Sequence, residues 1–366
     1  MRYNYLIKFS KLFYSFSLLI LINYPFSGIL ANNISVSNVK LSGQNTIAGI
    51  NNTNNYTFVQ FDLSWDNSWR TSSGSTNNWD AAWVFIKYRV ASGPWQHAKL
   101  NATGNSKGTG LTIPSIQVGL LDESLPFNNT SNPALGAFIY RSAVATSSTF
   151  TITNAKLRWN YGANGVLDKD KVDIKVFAIE TIFIPSGNFY VGDGTANNSS
   201  GQFCLGSNAN TPFQITSENS LTLGGTQSSH LSNNNVLNMS TWDDFNILFT
   251  KTLPLAFPKG YTGYYCMKYE ITASQYVSFL NTLTYNQQLR LSPNANSLPP
   301  EAPAGTVINR TYQGYTIEVK TPGNSTTTLT PAVYGNDATD DNNYDQPNDG
   351  LGYPVSLGNK QFLSYL

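Results

Sequence analysis

The sequence predicts a two-domain exported protein: an all-β sandwich of immunoglobulin-like type, then an α+β domain. Three observations carry this. The 366 residues exceed one domain at ~100–200 residues each. Only 12% of residues are charged, against ~25% in ordinary soluble chains, so polarity comes from Asn, Ser and Thr, which suit turns between strands. Short alternating runs separated by turn clusters fill residues 33–178, the spacing of sandwiches and barrels.

The chain begins with Arg2, Lys8 and Lys11, followed by the apolar run Leu12 to Ile22, the breakers Pro25 and Gly28, and Ile29-Leu30-Ala31. A basic stretch, an apolar stretch and a small residue make residues 1–31 a predicted signal peptide, because the run is shorter than the ~20 residues that span a bilayer. The protein is then secreted, periplasmic or at the cell surface, with no transmembrane anchor after cleavage. Twenty-two Lys+Arg against 21 Asp+Glu give a net charge of +1, which provides no basic stripe for nucleic acid. Export places Cys204 and Cys266 in an oxidising compartment. They either form one disulfide or stay as unpaired buried thiols.

In the first domain, residues 33–178, the clearest strands are Tyr56 to Trp65, Ala82 to Val90 and Phe150 to Trp159. Along the first, Thr57, Val59, Phe61, Leu63 and Trp65 share one face and Phe58, Gln60, Asp62 and Ser64 the other, so one face is buried and one wet. Trp65, Trp69, Trp79, Trp83 and Trp95 crowd this domain. Flat rings can stack on sugars, but large aromatics also fill pleated cores, and packing is the stronger expectation. His97 and His230, in different domains, support neither a metal site nor a nucleophile–base pair.

The second domain, residues 179–366, opens with the strand Val176 to Ile184 and a Pro185-Ser186-Gly187-Asn188 turn into a returning strand, a hairpin. Further on, Gly263 to Glu270 reads as a strand. Thr272 to Asn281 reads as a helix, with Thr272 as N-cap, Gln275 completing a capping box, and Tyr276, Phe279, Leu280 and Leu283 at helical spacing.

Two blocks here resemble the sulfatase-modifying-factor family, whose best-known members are formylglycine-generating enzymes. One is Ile182-x-Ile184-Pro185-x-Gly187-x-Phe189-x-x-Gly192. The other is Tyr265-Cys266-Met267-Lys268-Tyr269-Glu270-Ile271-Thr272-x-x-Gln275-Tyr276-x-x-Phe279-Leu280-Asn281. The resemblance, over residues from about 180 to the end, implies a C-type-lectin-like α+β fold. The family's copper-binding catalytic cysteines lie late in the domain, in a Gly-rich segment followed by Cys-Arg. No such segment occurs here, and neither Cys204 nor Cys266 matches it. The resemblance therefore implies no catalytic residue in this chain, and copper only where a longer protein supplies that pair. The Asn/Ser-rich stretch 197–246 reads as an insertion. The apolar end, Asn359 to Leu366, reads as a helix cut short, so the domain is expected to be truncated at its C-terminal side.

Asp337, Asp340, Asp341, Asp345 and Asp349 fall in one short loop. Hard cations take six to eight oxygen ligands of this kind, and the family implied by the resemblance uses structural calcium. These five are therefore candidate calcium ligands, although a solvated acidic loop is the stronger reading. Two functions remain open: an exported formylglycine-generating-enzyme-like protein that is not catalytic as this chain, or a non-catalytic surface or envelope protein binding a cell-surface glycan or peptide.

Overall fold

The computed structural model describes residues 34–71, 77–109, 114–119, 134–194, 203–208, 210–233, 250–291, 299–310, 316–326, 329–338, 341–346 and 348–355. Residues 1–33, where the signal peptide is expected, the terminal segment 356–366, Asp340, and residues 197–202, 209 and 234–246 of the Asn/Ser-rich stretch lie outside the described residues.

Eight strands build the first unit: β1 (Ser35–Asn45), β2 (Tyr56–Arg70), β3 (Trp79–Val90), β4 (Gln96–His97), β5 (Pro114–Gly119), β6 (Gly136–Arg141), β7 (Ala145–Trp159) and β8 (Val172–Ile184). In one layer β2 lies between β1 and β7, antiparallel to both. In the other, β3 pairs with β8 along its whole length, from Val90↔Val172 to Trp79↔Phe183. The opposite edge of β3 carries β4 and β6, and β6 carries β5. The layers join at the single pair Arg70↔Trp79.

Alternation explains the core. Val59, Phe61, Leu63 and Trp65 of β2 are buried, as the sequence phase requires, and face Ala82, Val84, Ile86 and Tyr88 of β3. The Trp65 indole stacks on Phe150 at 4.0 Å. A side chain at Gly136 would meet Trp83 at 2.4 Å, so only glycine lets β6 lie beside that indole.

The other face of β3 is covered too, by the second unit. Short strands β9 (Phe189–Val191), β10 (Phe203–Leu205), β11 (Phe213–Ile215), β12 (Leu221–Leu223), β13 (Leu231–Asn233) and β14 (Lys251–Leu253) lead to β15 (Tyr264–Met267). Helices α1 (Ala273–Leu280) and α2 (Tyr285–Leu291) follow, then β16 (Val307–Arg310), β17 (Thr316–Thr321) and β18 (Val333–Asp337). The expected capping box is present: the Thr272 hydroxyl accepts from the Gln275 backbone N–H at 3.3 Å, and the Gln275 side chain accepts from Thr272 N–H at 3.1 Å. Helix α1 buries Tyr276, Val277 and Leu280 in a core with Ile317, Val319 and Tyr334, and Trp83, Phe85 and Met267 pack onto it.

The sequence assigned β9 to a hairpin with β8, and the structure corrects this. Strand β9 pairs with β11, while β15 takes the free edge of β8, from Tyr264↔Ile184 to Met267↔Thr181. A strand of three residues gains too little from its neighbour in sequence to fix its partner, so packing against Phe213, Ile215 and Leu231 decides. The expected division between residues 178 and 179 falls inside β8. Ala178 packs against the sandwich core, and Ile179 belongs to the second core. Among the described residues no helix is long and apolar enough to cross a membrane.

Candidate functional site

A cleft of about 250 Å³ opens where β1 passes the loop between β7 and β8. Trp159, Val166 and Val172 give it apolar walls, and Ser42, Gln44 and Asp168 stand among its polar groups. The loop geometry is fixed by Asp168. Its carboxylate accepts the Asn51 backbone N–H at 2.8 Å, the Tyr161 hydroxyl at 2.7 Å and the Asn55 amide at 2.9 Å. Asn51 Oδ1 in turn accepts Asp168 N–H at 2.9 Å. The Asn51 N–H, then the Tyr161 hydroxyl and the Asn55 amide, hold the Asp168 carboxyl below the ordinary carboxylate range. Burial and the bond to Asp168 push the Tyr161 phenol up. At neutral pH the wall is therefore a carboxylate beside a neutral phenol.

Gln44 closes this wall, donating to the Tyr161 hydroxyl at 3.1 Å and to the Asp168 carbonyl at 2.9 Å. The Ser42 hydroxyl, also on the cleft, is buried and has no hydrogen-bond partner among the described residues. A buried hydroxyl without a partner is costly, and a polar ligand in the cleft would supply one. The turn bonded to Asp168 through Asn51 displays Ile47 and Ile50 at 93% and 90% exposure. The turn is ordered by Gly49 N–H to Thr46 C=O at 2.9 Å and the Asn55 amide to Gly49 C=O at 2.8 Å.

The tryptophans mostly pack. Trp65 is core. Trp79 stacks with Tyr140 at 4.9 Å and Phe183 at 4.3 Å, with the Arg70 guanidinium 4.7 Å from its ring centre. Trp83 leans on Phe138, and Trp95 lies by Arg89 and Lys175. Trp69 is half-buried and bonds through its backbone N–H to Asp80 at 3.0 Å.

The two thiols are free, and the bridge weighed from the sequence is not formed. Cys204 is buried on β10 and donates to the Gly206 carbonyl at 3.4 Å, whereas Cys266 is exposed on β15, in a different sheet. Burial pushes the Cys204 thiol up. His97 packs on Phe85, and loss of water together with the Lys87 charge pushes its pKa down to about 4. His230 Nδ1 contacts the Gly224 carbonyl at 2.8 Å in the second unit.

In the acidic loop the carboxylates tie the backbone. Asp337 accepts the N–H groups of Asp341 and Asn342, and Asp341 that of Asn343. Asp345 accepts that of Asn336, and Asp349 those of Ala338 and Gln346. Asp340 lies outside the described residues. Among the described residues no group of three or more His, Cys, Asp and Glu is placed to hold a metal.

Sequence reasoning missed a buried ionic cluster at the seam of the two units. Lys268, just after β15, lies 3.2 Å from Asp80 of β3 and 3.4 Å from Glu180 of β8. Asp80 also accepts Trp65 Nε1–H and the Ser68 hydroxyl, both at 2.9 Å. The available signal was phase: Asp80 and Glu180 interrupt faces that are otherwise apolar, Ala82, Val84 and Ile86 on β3 and Val172, Ile174, Val176 and Ala178 on β8.

Compared with protein-family models and with curated proteins, the chain matches none.

Proposed function

We propose that the chain is an exported, non-catalytic binding protein whose immunoglobulin-like sandwich carries a site for a cell-surface glycan in the Ser42–Asp168 cleft. The observation that carries this reading is the partnerless Ser42 hydroxyl beside the Asp168–Tyr161–Gln44 wall. A sugar presents what such a cleft matches: hydroxyls that donate to a carboxylate and meet a hydroxyl that lacks a partner. The volume is below the ~300–1,000 Å³ of drug-sized sites, which favours the end of a glycan over a long chain. The exposed Ile47 and Ile50, on the turn that Asp168 holds, contact the surface that bears it. A neutral-glycan array followed by calorimetry on the hits tests the reading. Ser42→Ala is expected to weaken binding about tenfold, ~1.4 kcal/mol. An array with no retained glycan, or a variant of unchanged affinity, overturns it.

A second reading follows the family resemblance, in which the C-terminal unit is an incomplete formylglycine-generating-enzyme-like domain of C-type-lectin type. It is favoured by the pairing of the two blocks that carry the resemblance, since β15 lies along the end of β8 and leads into the capped helix α1. On this reading the chain alone does not oxidise a peptide cysteine, even with added copper. Formation of formylglycine in that assay would overturn this and assign catalysis to the chain.

A further inference from the structure

The cluster at the seam has the parts of an amide-forming site, and we propose that Lys268 and Asp80 join in an autocatalytic isopeptide bond between β15 and β3. This inference is independent of the glycan reading. The Lys268 side chain is 10% exposed, Asp80 0% and Glu180 3%, so nucleophile, electrophile and a second carboxylate meet where water is excluded. Lys268 Nζ stands 3.2 Å from Asp80 Oδ2 and 3.4 Å from Glu180 Oε2, and it also donates to the Asn67 carbonyl at 3.3 Å. Burial works against the Lys268 charge, but the Asp80 and Glu180 carboxylates outweigh it and push the amine up, so the proton it must lose is passed to the carboxylate in contact with it.

The carboxyl group is held for attack. Oδ1 accepts the Trp69 backbone N–H at 3.0 Å and the Ser68 hydroxyl at 2.9 Å, the arrangement that stabilises an oxyanion. Arg141 Nε donates to the Ser68 oxygen at 2.9 Å and turns the Ser68 proton toward Asp80. Oδ2, the oxygen nearest the lysine, accepts Trp65 Nε1–H at 2.9 Å.

The step balances without a co-reactant. The ammonium passes one proton to Oδ2, leaving an amine and a carboxylic acid. The Nζ lone pair attacks Cγ, and the carbonyl electrons move onto Oδ1. Glu180 takes a proton from the new C–N centre and hands it to the Oδ2 hydroxyl. Carbonyl re-formation at Oδ1 then expels Oδ2 as water, leaving a secondary amide, and Glu180 ends as the carboxylate it began as.

Intact-mass spectrometry of the purified full-length protein tests this directly. The expected mass is one water below that of its sequence from the measured N-terminus, with Asp80 and Lys268 in a single cross-linked peptide after digestion. Lys268→Arg keeps the charge but removes the nucleophile, and Glu180→Gln removes the proton relay; both are expected at full mass, each with its fold checked by near-ultraviolet circular dichroism. Wild-type protein at full sequence mass overturns the proposal. So does a water loss confined to one linear peptide, the signature of a succinimide.

Discussion

Asp80→Ala is expected to cost about 4 kcal/mol or more, because the variant can neither bond nor pair Lys268 through Asp80 and leaves several buried donors without an acceptor. Trp65 Nε1, Ser68 and the Trp69 N–H lose their acceptor at a fully buried position, and Lys268 keeps only Glu180 and the Asn67 carbonyl. Both units suffer, since Asp80 belongs to the sandwich and Lys268 follows the strand that begins the second core. The comparison is Asp173→Ala, which breaks the Arg89–Asp173 pair at 2.8 Å, where the side chains are 36% and 56% exposed. An exposed pair contributes ~0–1 kcal/mol. Urea unfolding of the two variants should therefore show widely separated midpoints. Similar losses would mean that the cluster is not the junction described above.

Gln288→Ala is the second large loss, at about 3 kcal/mol. Gln288 of α2 is fully buried and makes three bonds: its amide donates to the carbonyls of Leu280 at 3.1 Å and Ala332 at 2.9 Å, and its Oε1 accepts Ala332 N–H at 2.8 Å. Asn281 does the same two residues along, donating to the Tyr334 carbonyl at 2.9 Å and accepting its N–H at 2.8 Å. The two amides satisfy alternate backbone positions at the edge strand β18 as another strand would. Without Gln288 the Ala332 carbonyl and N–H lose this partner, while the Leu280 carbonyl keeps the Leu283 N–H at 3.1 Å. The neighbouring Gln287 is exposed and bonds only to Thr284 in the local turn. Gln287→Ala should cost ~1 kcal/mol or less, and equal urea midpoints for the two variants would contradict the assignment.

What the sequence made legible follows from length. Strands β2, β3 and β7 each hold enough residues for a period of two to show, and their buried faces fall where the alternation places them. Helix α1 was readable from its cap, because Thr272 and Gln275 act on neighbouring backbone. Strands β9 to β14 have three residues each, too few for any period, so their partners are set by packing from a distance. The cleft was illegible for a related reason. Its polar groups come from residues 42–44, Thr57 and residues 161–170, brought together only when β1 and β2 fold beside the chain leaving β7. The acidic loop was legible as a cluster but not as to role, since composition does not say whether a carboxylate faces a cation or its own backbone N–H groups.

Strand β8 has a consequence for how the molecule comes apart. Val176 and Ala178 line one core, Ile179 belongs to the other, and the strand is hydrogen-bonded to β3 on one edge and β15 on the other. Each core thus takes residues from the same thirteen-residue strand. The free energy that holds them in place is common to both, so opening either core lowers the barrier to opening the second. The two units are organised in sequence as domains but coupled in stability as one cooperative body.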